Sequence, residues 1–367
     1  MDHELLLAKL YANGFSKNAV CMIKSYLSNR WQIIKINCEF SSWTELLLGV
    51  PQGSVLGQLI FNIYLNDLFW VNENTDVCNF ADDTTIYSCD QDLRTVIKNL
   101  EHDSLLCLEW FECSYMKLNA DKCHLMMSGH KHEWIWAMVG KDMIWESQYE
   151  KLLGVTIDNE LNFKVHILDI CKKANSKLTA LRRYCKFITL EKKRLLFKSF
   201  VESQFSYCPL VWMFHNRSLN NKLNKLHERS LRMVYDDDKS SFQDLLTRDG
   251  AYTIHERNIQ SLAIECYKAS RNIGPSLLND IFRIADYQGP NLRNKGEFVR
   301  PSISSVHFGE NSLKFLGAKI WDIVPKEFKD VDTVDRFKVL IKKWAPKLCP
   351  CRLCKTYIQR LGFVNII

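Results

Sequence analysis

Apolar residues recur at helical spacing in two parts of the chain. In residues 3–29, where Gly14 interrupts the pattern, they are Leu6, Leu7, Leu10, Val20, Ile23 and Leu27. In residues 91–117 the apolar face consists of Leu93, Val96, Ile97, Leu100, Leu105, Leu108 and Phe111. The pattern predicts a helical start broken at Gly14 and, later, a long amphipathic helix.

Four other segments have patterns that favour strands. The segment "WQIIKINCEFSSWTELLLG" predicts a hairpin, and "TDVCNFADDTTIYSC" predicts a strand, a tight turn and a second strand. The later segments "MKLNADKCHLMMSG" and "YEKLLGVTIDNELNF" also read as strands. Helices and strands in this order predict an α+β chain.

Beyond Phe163 the pattern becomes helical and basic. The bases of residues 164–235 include Lys172, Lys173, Lys177, Arg182, Arg183, Lys186, Lys192, Lys193, Arg194, Lys198, Lys222, Lys225, Arg229 and Arg232. A single helix of this kind would most simply have a solvated face. Two such helices in succession favour contact with the phosphates of a nucleic acid.

The composition of the chain limits the kinds of protein that it can be. The chain has 367 residues, 47% hydrophobic and 25% charged, which suits two or three folded domains, and a formal charge of +7 permits a polyanionic partner. Most of its 14 cysteines are scattered singly, which is typical of reduced, buried cysteines in an intracellular protein. The first residues have too short an apolar run for a signal peptide, and polar residues interrupt the most apolar segment. We therefore expect a nuclear or cytoplasmic protein without a membrane partner.

The segment "GVPQGSVLG" combines glycines at 49, 53 and 57 with Pro51. The glycines allow backbone to approach a ligand closely, and the proline fixes the turn. Ser54 is in place to cap a helix that runs to about Leu68.

Asp82 and Asp83 lie side by side between apolar, strand-forming residues in "NFADDTTIY". A surface turn would hold two neighbouring carboxylates without any function. A hairpin tip with two carboxylates can instead hold Mg²⁺, whose remaining ligands are substrate phosphates and water. The glycine-rich loop upstream and Lys122 downstream favour the second interpretation, phosphoryl transfer assisted by two metal ions.

The motifs of this chain resemble those of a known family. The segments "GVPQGSVLG", "FADD", "LNADKCHLM" and "YEKLLGVTID" occur in this order in the reverse transcriptases of non-LTR (LINE-like) retrotransposons, most similarly in the jockey- and CR1-like group. The resemblance implies a partial right-hand polymerase palm in residues 1–163 and a basic helical thumb in 164–240. Residues 241–367 would be a mixed C-terminal extension with a cysteine-rich tail. The implied activity extends a DNA primer on an RNA template, using dNTPs and Mg²⁺.

The resemblance also implies roles for individual residues. Asp82 and Asp83 would be the catalytic, Mg²⁺-binding carboxylates, with Asp82 in direct contact, and Lys122 would protonate the leaving pyrophosphate. The other implied sites are the template and nucleotide loop of Pro51, Gln52, Gly53 and Ser54, the primer grip of Leu152, Leu153 and Gly154, and the nucleic-acid contacts Lys172, Lys173, Arg182 and Arg183.

One part of the implied site is missing from the sequence. In the family a further catalytic aspartate lies on a strand upstream of a segment like "MDHELL", and this chain begins at "MDHELL". We therefore expect an incomplete two-metal site and a truncated polymerase that is inactive alone, with Asp2 capping the first helix. The alternatives are a non-catalytic nucleic-acid-binding remnant that uses the basic helices, and a fragment that does not fold stably.

Two further segments contain clusters of aspartates or cysteines, the residue types that bind metal ions. "VYDDD" at 234–238 follows a basic amphipathic helix rather than a strand, which predicts an acidic turn at a helix end. In the tail "CPCRLCK", the thiolates of Cys349, Cys351 and Cys354 would hold zinc only if a fourth ligand came from elsewhere, since no adjacent histidine completes the set. Pro346 and Pro350 favour the alternative, an irregular and exposed end.

Overall fold

A computed structural model describes residues 1–51, 53–129, 134–285, 297–346, 349–351 and 353–354. The chain divides into two compact units, Met1–Gln148 and Tyr149–Ile367. Among the residues described, no helix combines the length and apolar character needed to cross a bilayer. The predicted mixture of helices and strands is confirmed, whereas the palm and thumb arrangement and the division at 163 and 240 stay predictions.

The helices of the first unit follow the apolar pattern. They are α1 (His3–Ala12), α2 (Lys17–Leu27), α3 (Val55–Leu65) and α4 (Leu93–Cys113), with 3₁₀ turns at Asn66–Trp70 and Ala120–Lys122. The main core consists of Leu6, Leu7, Leu10, Ile23, Leu27, Ile60 and Tyr64. The break at Gly14 and the long α4 agree with the prediction.

Every strand of the first unit belongs to a two-stranded antiparallel sheet. The pairs are β1 (Trp31–Gln32) with β4 (Thr44–Glu45), β2 (Lys35–Ile36) with β3 (Glu39–Phe40), β5 (Asp76–Phe80) with β6 (Asp83–Tyr87), and β7 (Trp136–Val139) with β8 (Asp142–Trp145). The predicted hairpins at 31–49 and 75–89 are thus confirmed.

The second unit begins with a hairpin and continues as helices. The elements are β9 (Tyr149–Leu152), β10 (Val155–Asp158), α5 (Lys164–Arg182), α6 (Leu190–Leu196), α7 (Pro209–Trp212), α8 (Arg217–Tyr235), α9 (Phe242–Asp249), α10 (Ile254–Ser270), α11 (Ser276–Ile281), α12 (Leu313–Ile323), α13 (Lys326–Lys329) and α14 (Val334–Ile341). Between them lie 3₁₀ turns at Cys185–Phe187 and Glu202–Phe205 and π-helical turns at Phe197–Val201 and Val306–Glu310.

The second unit buries two hydrophobic clusters. In the first, α8 packs against α5 and α9 through residues such as Ile167, Leu223 and Leu245. In the second, α10 packs against α12 and α14, where the rings of Tyr267 and Phe337 stack at 4.3 Å. Aromatic stacking of this kind adds to the free energy gained from burial alone.

Polar caps fix where helices begin. The Asp2 carboxylate accepts a 2.9 Å hydrogen bond from the backbone N–H of Leu5, so the predicted capping role of Asp2 is confirmed. The N–H of Gly57 likewise donates to the Ser54 hydroxyl at 3.0 Å, which begins α3 at the predicted residue. α3 ends at Leu65 and continues to Trp70 only as a 3₁₀ turn.

Candidate metal and nucleic-acid site

The β5–β6 hairpin places the two aspartates at its tip. Phe80 pairs with Asp83, so Ala81 and Asp82 form a two-residue turn. Ala81 has a φ of 55°, in the left-handed region that short hairpin turns require. Behind the turn, the side-chain amide of Asn79 donates to the Thr84 hydroxyl across the strands at 2.8 Å. The strand, tight turn and strand predicted here are confirmed.

Both aspartates are exposed. Within the part of the chain that the structure describes, neither carboxylate has a hydrogen-bond or ion-pair partner, although the two residues are adjacent and repel each other. Exposed carboxylate oxygens are the ligands that Mg²⁺ prefers, and Mg²⁺ commonly takes one or two from the protein. The chemistry of these donors therefore fits Mg²⁺, with water or phosphate completing its coordination.

The loop before α3 needs glycine at two positions because of its backbone conformation, not because of crowding. Gly49 and Gly53 have φ values of 83° and 79°, which side chains rarely adopt, while the space around each would admit a Cβ. Pro51 is half-buried and Gly53 is exposed. Gln52, also predicted to contact template and nucleotide, lies outside the described residues.

Lys122 lies in a 3₁₀ turn, Ala120–Lys122, rather than in the strand expected for its segment. The Asn119 side chain accepts a 3.1 Å hydrogen bond from the N–H of Asp121, and such local bonds compete with strand pairing. Lys122 is exposed, and its predicted role with the leaving group stays a prediction.

The predicted primer grip is the turn of the β9–β10 hairpin in the second unit. Leu152 pairs with Val155, and the turn residues Leu153 and Gly154 both have positive φ, 47° and 85°. Below the turn, the N–H of Thr156 donates to His166 of α5 at 3.1 Å. The hairpin is therefore fixed to the basic helix that follows it.

The bases of the second unit divide into exposed and internally paired groups. Four bases are exposed on or just after α5, whose other face packs in the core: Lys172, Lys173, Arg182 and Arg183. Among the described residues, only Lys173 of these four has an ion pair, which it forms with Asp169.

Two other bases hold the fold together. Lys193 is 8% exposed and pairs with Asp236. Arg194 pairs with the buried carboxylate of Asp249 at 2.7 Å. Among the bases of residues 164–235, Lys193 and Arg194 therefore form ion pairs within the fold.

The acidic segment at 236–238 is the helix-ending turn that its sequence predicts. α8 ends at Tyr235, and Asp236 follows with a φ of 52°. Asp237 accepts hydrogen bonds from the N–H groups of Ser240 and Lys239, which lower its pKa to about 2. These carboxylates stabilise the turn.

The tail cysteines meet a histidine that sequence reasoning missed. Cys349, Cys351 and Cys354 lie around His255, the second residue of α10, with all four ligand atoms within 4.8 Å of one another. Cys349 and Cys351 are buried, which contradicts an exposed end for this part of the tail. Hydrogen bonds from Cys349, Cys354 and His255 lower the pKa of the Cys351 thiol. No spacing signal in the sequence links His255 to cysteines more than ninety residues away.

The other cysteines are less buried than expected. All 14 are free thiols, and Cys21, Cys38, Cys78, Cys89, Cys113 and Cys208 are exposed. Cys38, Cys78 and Cys89 lie in or beside two-stranded sheets, which have too little surface to cover a side chain on both faces.

Comparison with known proteins identifies the relatives of this chain. Residues 1–157 match the family model for reverse transcriptase (RNA-dependent DNA polymerase). The RNA-directed DNA polymerase from mobile element jockey of Drosophila melanogaster is 24% identical over 231 residues, covering 60% of this chain and 25% of that protein. The probable RNA-directed DNA polymerase from transposon BS of the same species is 25% identical over 233 residues, covering 59% and 25%. The chain spans about a quarter of the length of these relatives.

The matched segment contains both the aspartate hairpin and the glycine-rich loop. The resemblance predicted from the four motifs is therefore confirmed. Residues 1–157 thus match the reverse transcriptase family, and the chain is similar to RNA-directed DNA polymerases of mobile elements such as jockey.

Proposed function

We propose that this chain is the part of an RNA-directed DNA polymerase that carries the paired metal-binding carboxylates and holds the primer–template duplex. The reaction of the complete polymerase would join a dNTP to a primer 3′-OH opposite an RNA template. The observation that supports this most strongly is the pair of adjacent carboxylates at a hairpin tip, which have no partner among the described residues and lie in the segment that matches the reverse transcriptase family.

Asp82 and Asp83 would bind Mg²⁺ through their side-chain oxygens. The bound Mg²⁺ would neutralise the charge that develops on the phosphates during transfer. The hairpin supports this role because its ladder and the Asn79–Thr84 hydrogen bond restrict the tip before any ligand arrives.

Two exposed segments would act on the nucleotide. The backbone of Pro51, Gly53 and Ser54 would lie against the template and the incoming nucleotide, which the open space around Gly53 permits. Lys122 would give a proton to the leaving pyrophosphate, and its exposed ammonium group leaves it available for that role.

The second unit would hold the duplex. Leu152, Leu153 and Gly154 would contact the primer end, and the bases Lys172, Lys173, Arg182 and Arg183 would contact backbone phosphates. Support comes from the hydrogen bond between Thr156 and His166, which connects the hairpin directly to the helix that presents these bases.

Primer extension and metal binding test the catalytic assignment. Asp82→Asn should abolish residual extension and weaken Mn²⁺ binding measured by water-proton relaxation. Asp76→Asn is a matched control, because Asp76 is an exposed carboxylate at the other end of the same hairpin. Extension or Mn²⁺ binding that survives Asp82→Asn would refute the assignment.

A second candidate function is nucleic-acid binding without catalysis. It is favoured by the exposed bases Lys172, Arg182 and Arg183, which have no ion pair within the described part of the chain. It predicts salt-sensitive binding of an RNA–DNA heteroduplex that Asp82→Asn leaves intact. Replacing all four bases of the proposed contact by glutamine should lower the slope of log K against log salt by up to about 4.

The matched control removes the same number of positive charges from exposed positions of α12–α14 and the turn that follows, at Lys314, Lys326, Arg336 and Lys343. An equal loss of binding in both variants would show that total charge, rather than this helix, determines affinity. If the chain does not bind the heteroduplex at low salt, both nucleic-acid binding without catalysis and the proposed duplex-holding role of the second unit are excluded.

A further inference from the structure

The tail of the second unit brings three thiols to one imidazole. His255 Nε2 lies 3.8 Å from the sulfur of Cys349, 3.3 Å from that of Cys351 and 3.4 Å from that of Cys354. We propose that these four residues bind one Zn²⁺ ion in a closed structural site. The site shares no residue with the aspartate hairpin and is independent of the polymerase assignment.

The distances match those of a tetrahedral zinc site. With Zn–S of about 2.3 Å and Zn–N of about 2.0–2.1 Å, tetrahedral geometry places a nitrogen and a sulfur about 3.6 Å apart and two sulfurs about 3.8 Å apart. The three nitrogen–sulfur distances scatter around the first value. All ligand pairs fall within 4.8 Å, so small movements would complete the tetrahedron.

The ligand chemistry favours zinc over harder ions. Three thiolates and an imidazole are soft or borderline ligands, which select zinc and disfavour Mg²⁺ or Ca²⁺. His255, Cys349 and Cys351 are buried, where thiolate charge is costly unless a cation compensates it. Four protein ligands leave no open position, as in structural rather than catalytic zinc sites.

The ion would join distant parts of the chain. His255 lies in the first turn of α10, and the cysteines follow it by 94 to 99 residues. Nearby, the side-chain amide of Gln260 donates to the carbonyl oxygen of Trp344 at 2.8 Å, so the tail already runs beside α10. Cys349 and Cys351 also belong to the hydrophobic cluster of α10, α12 and α14. Zinc would hold the tail against that cluster.

Metal analysis of the full chain, purified under reducing and chelator-free conditions, tests the proposal. We expect one zinc per chain. Exchange with Co²⁺ should give the sulfur-to-cobalt charge-transfer band and the intense visible bands of a tetrahedral thiolate site. A folded, reduced chain that contains no zinc and gives no such bands with Co²⁺ would overturn the proposal.

Variants separate metal binding from folding. Cys351→Ala should reduce zinc from one per chain to near zero, while Cys266→Ala should retain it, because Cys266 is a buried thiol of the same cluster outside the site. His255→Cys should retain zinc with a stronger charge-transfer band, whereas His255→Ala should lose it or bind it far more weakly. Full zinc in both Cys351→Ala and His255→Ala would refute this ligand set.

Discussion

The hydroxyl of Tyr207 donates a 2.6 Å hydrogen bond to the carbonyl oxygen of Leu153. The two residues are 54 positions apart, and the bond joins the turn of the β9–β10 hairpin to the helical part of the second unit. The Tyr207 ring also lies 3.3 Å from where a Cβ on Gly154 would be. The position of the proposed primer grip therefore depends on one tyrosine as well as on its own strands.

Replacing that tyrosine tests the connection. Tyr207→Phe keeps the ring and removes the hydrogen bond, so we expect the free energy of unfolding to fall by about 0.5–1 kcal/mol in urea titrations. Tyr184→Phe is the control, because Tyr184 is an exposed tyrosine with no side-chain hydrogen bond among the described residues. Equal effects in both variants would contradict a specific role for the Tyr207 hydroxyl.

The turn conformation predicts a stabilising substitution. Leu153 holds a φ of 47°, which costs a leucine about 1 kcal/mol but suits asparagine. Leu153→Asn should therefore raise the midpoint of urea unfolding. Leu152→Asn, at the neighbouring strand position, should lower it, since asparagine is depleted in strands. A lower midpoint for Leu153→Asn would mean that contacts of the leucine outweigh backbone strain.

A buried histidine predicts how stability depends on pH. Burial lowers the pKa of His227 to about 4, and neither ring nitrogen has a hydrogen-bond partner among the described residues. The unfolded state, with an ordinary pKa near 6.5, binds the proton first, so stability is full above about pH 6.5 and falls between there and pH 4. The loss is on the order of 3 kcal/mol.

His227→Leu should remove this part of the pH dependence and stabilise the fold near pH 5, as measured by urea unfolding from pH 4 to 8. Leu223→Val, at a buried position on the same helix, is the control and should lower stability by a similar amount at every pH. A pH profile unchanged by His227→Leu would contradict the assignment.

Two neighbouring lysines should differ in how much they contribute to stability. Lys192 is exposed, whereas Lys193 is 8% exposed and pairs with Asp236. Lys193→Ala should cost about 1–3 kcal/mol of stability, because it removes both the ion pair and a packed stem. Lys192→Ala should leave stability within about 0.5 kcal/mol. Thermal unfolding of both variants distinguishes these outcomes.

Local pattern was sufficient for much of the fold. The break at Gly14, the cap at Ser54, the hairpin around Asp82 and the acidic turn after Tyr235 each depend on interactions within a few residues. For the same reason, the residues that flank the aspartate pair are enough to place it at a turn.

Features that depend on distant contacts were not predictable. The sequence does not show that Lys193 turns inward to Asp236, or that His255 meets cysteines that follow it by more than ninety residues. Near Lys122 the strand interpretation was wrong because one asparagine side chain supplies a local hydrogen bond that strand pairing cannot match.

The separation of His255 from the tail has a consequence for how the protein is made. At about 5–20 residues per second, the ribosome would add the 96 residues between His255 and Cys351 over about 5–20 s. During that interval α10 exists without its last partners, and its cluster exposes apolar surface that the tail later covers. A nascent chain stalled or cleaved before residue 349 would therefore keep that surface exposed and become a substrate for chaperones or proteases.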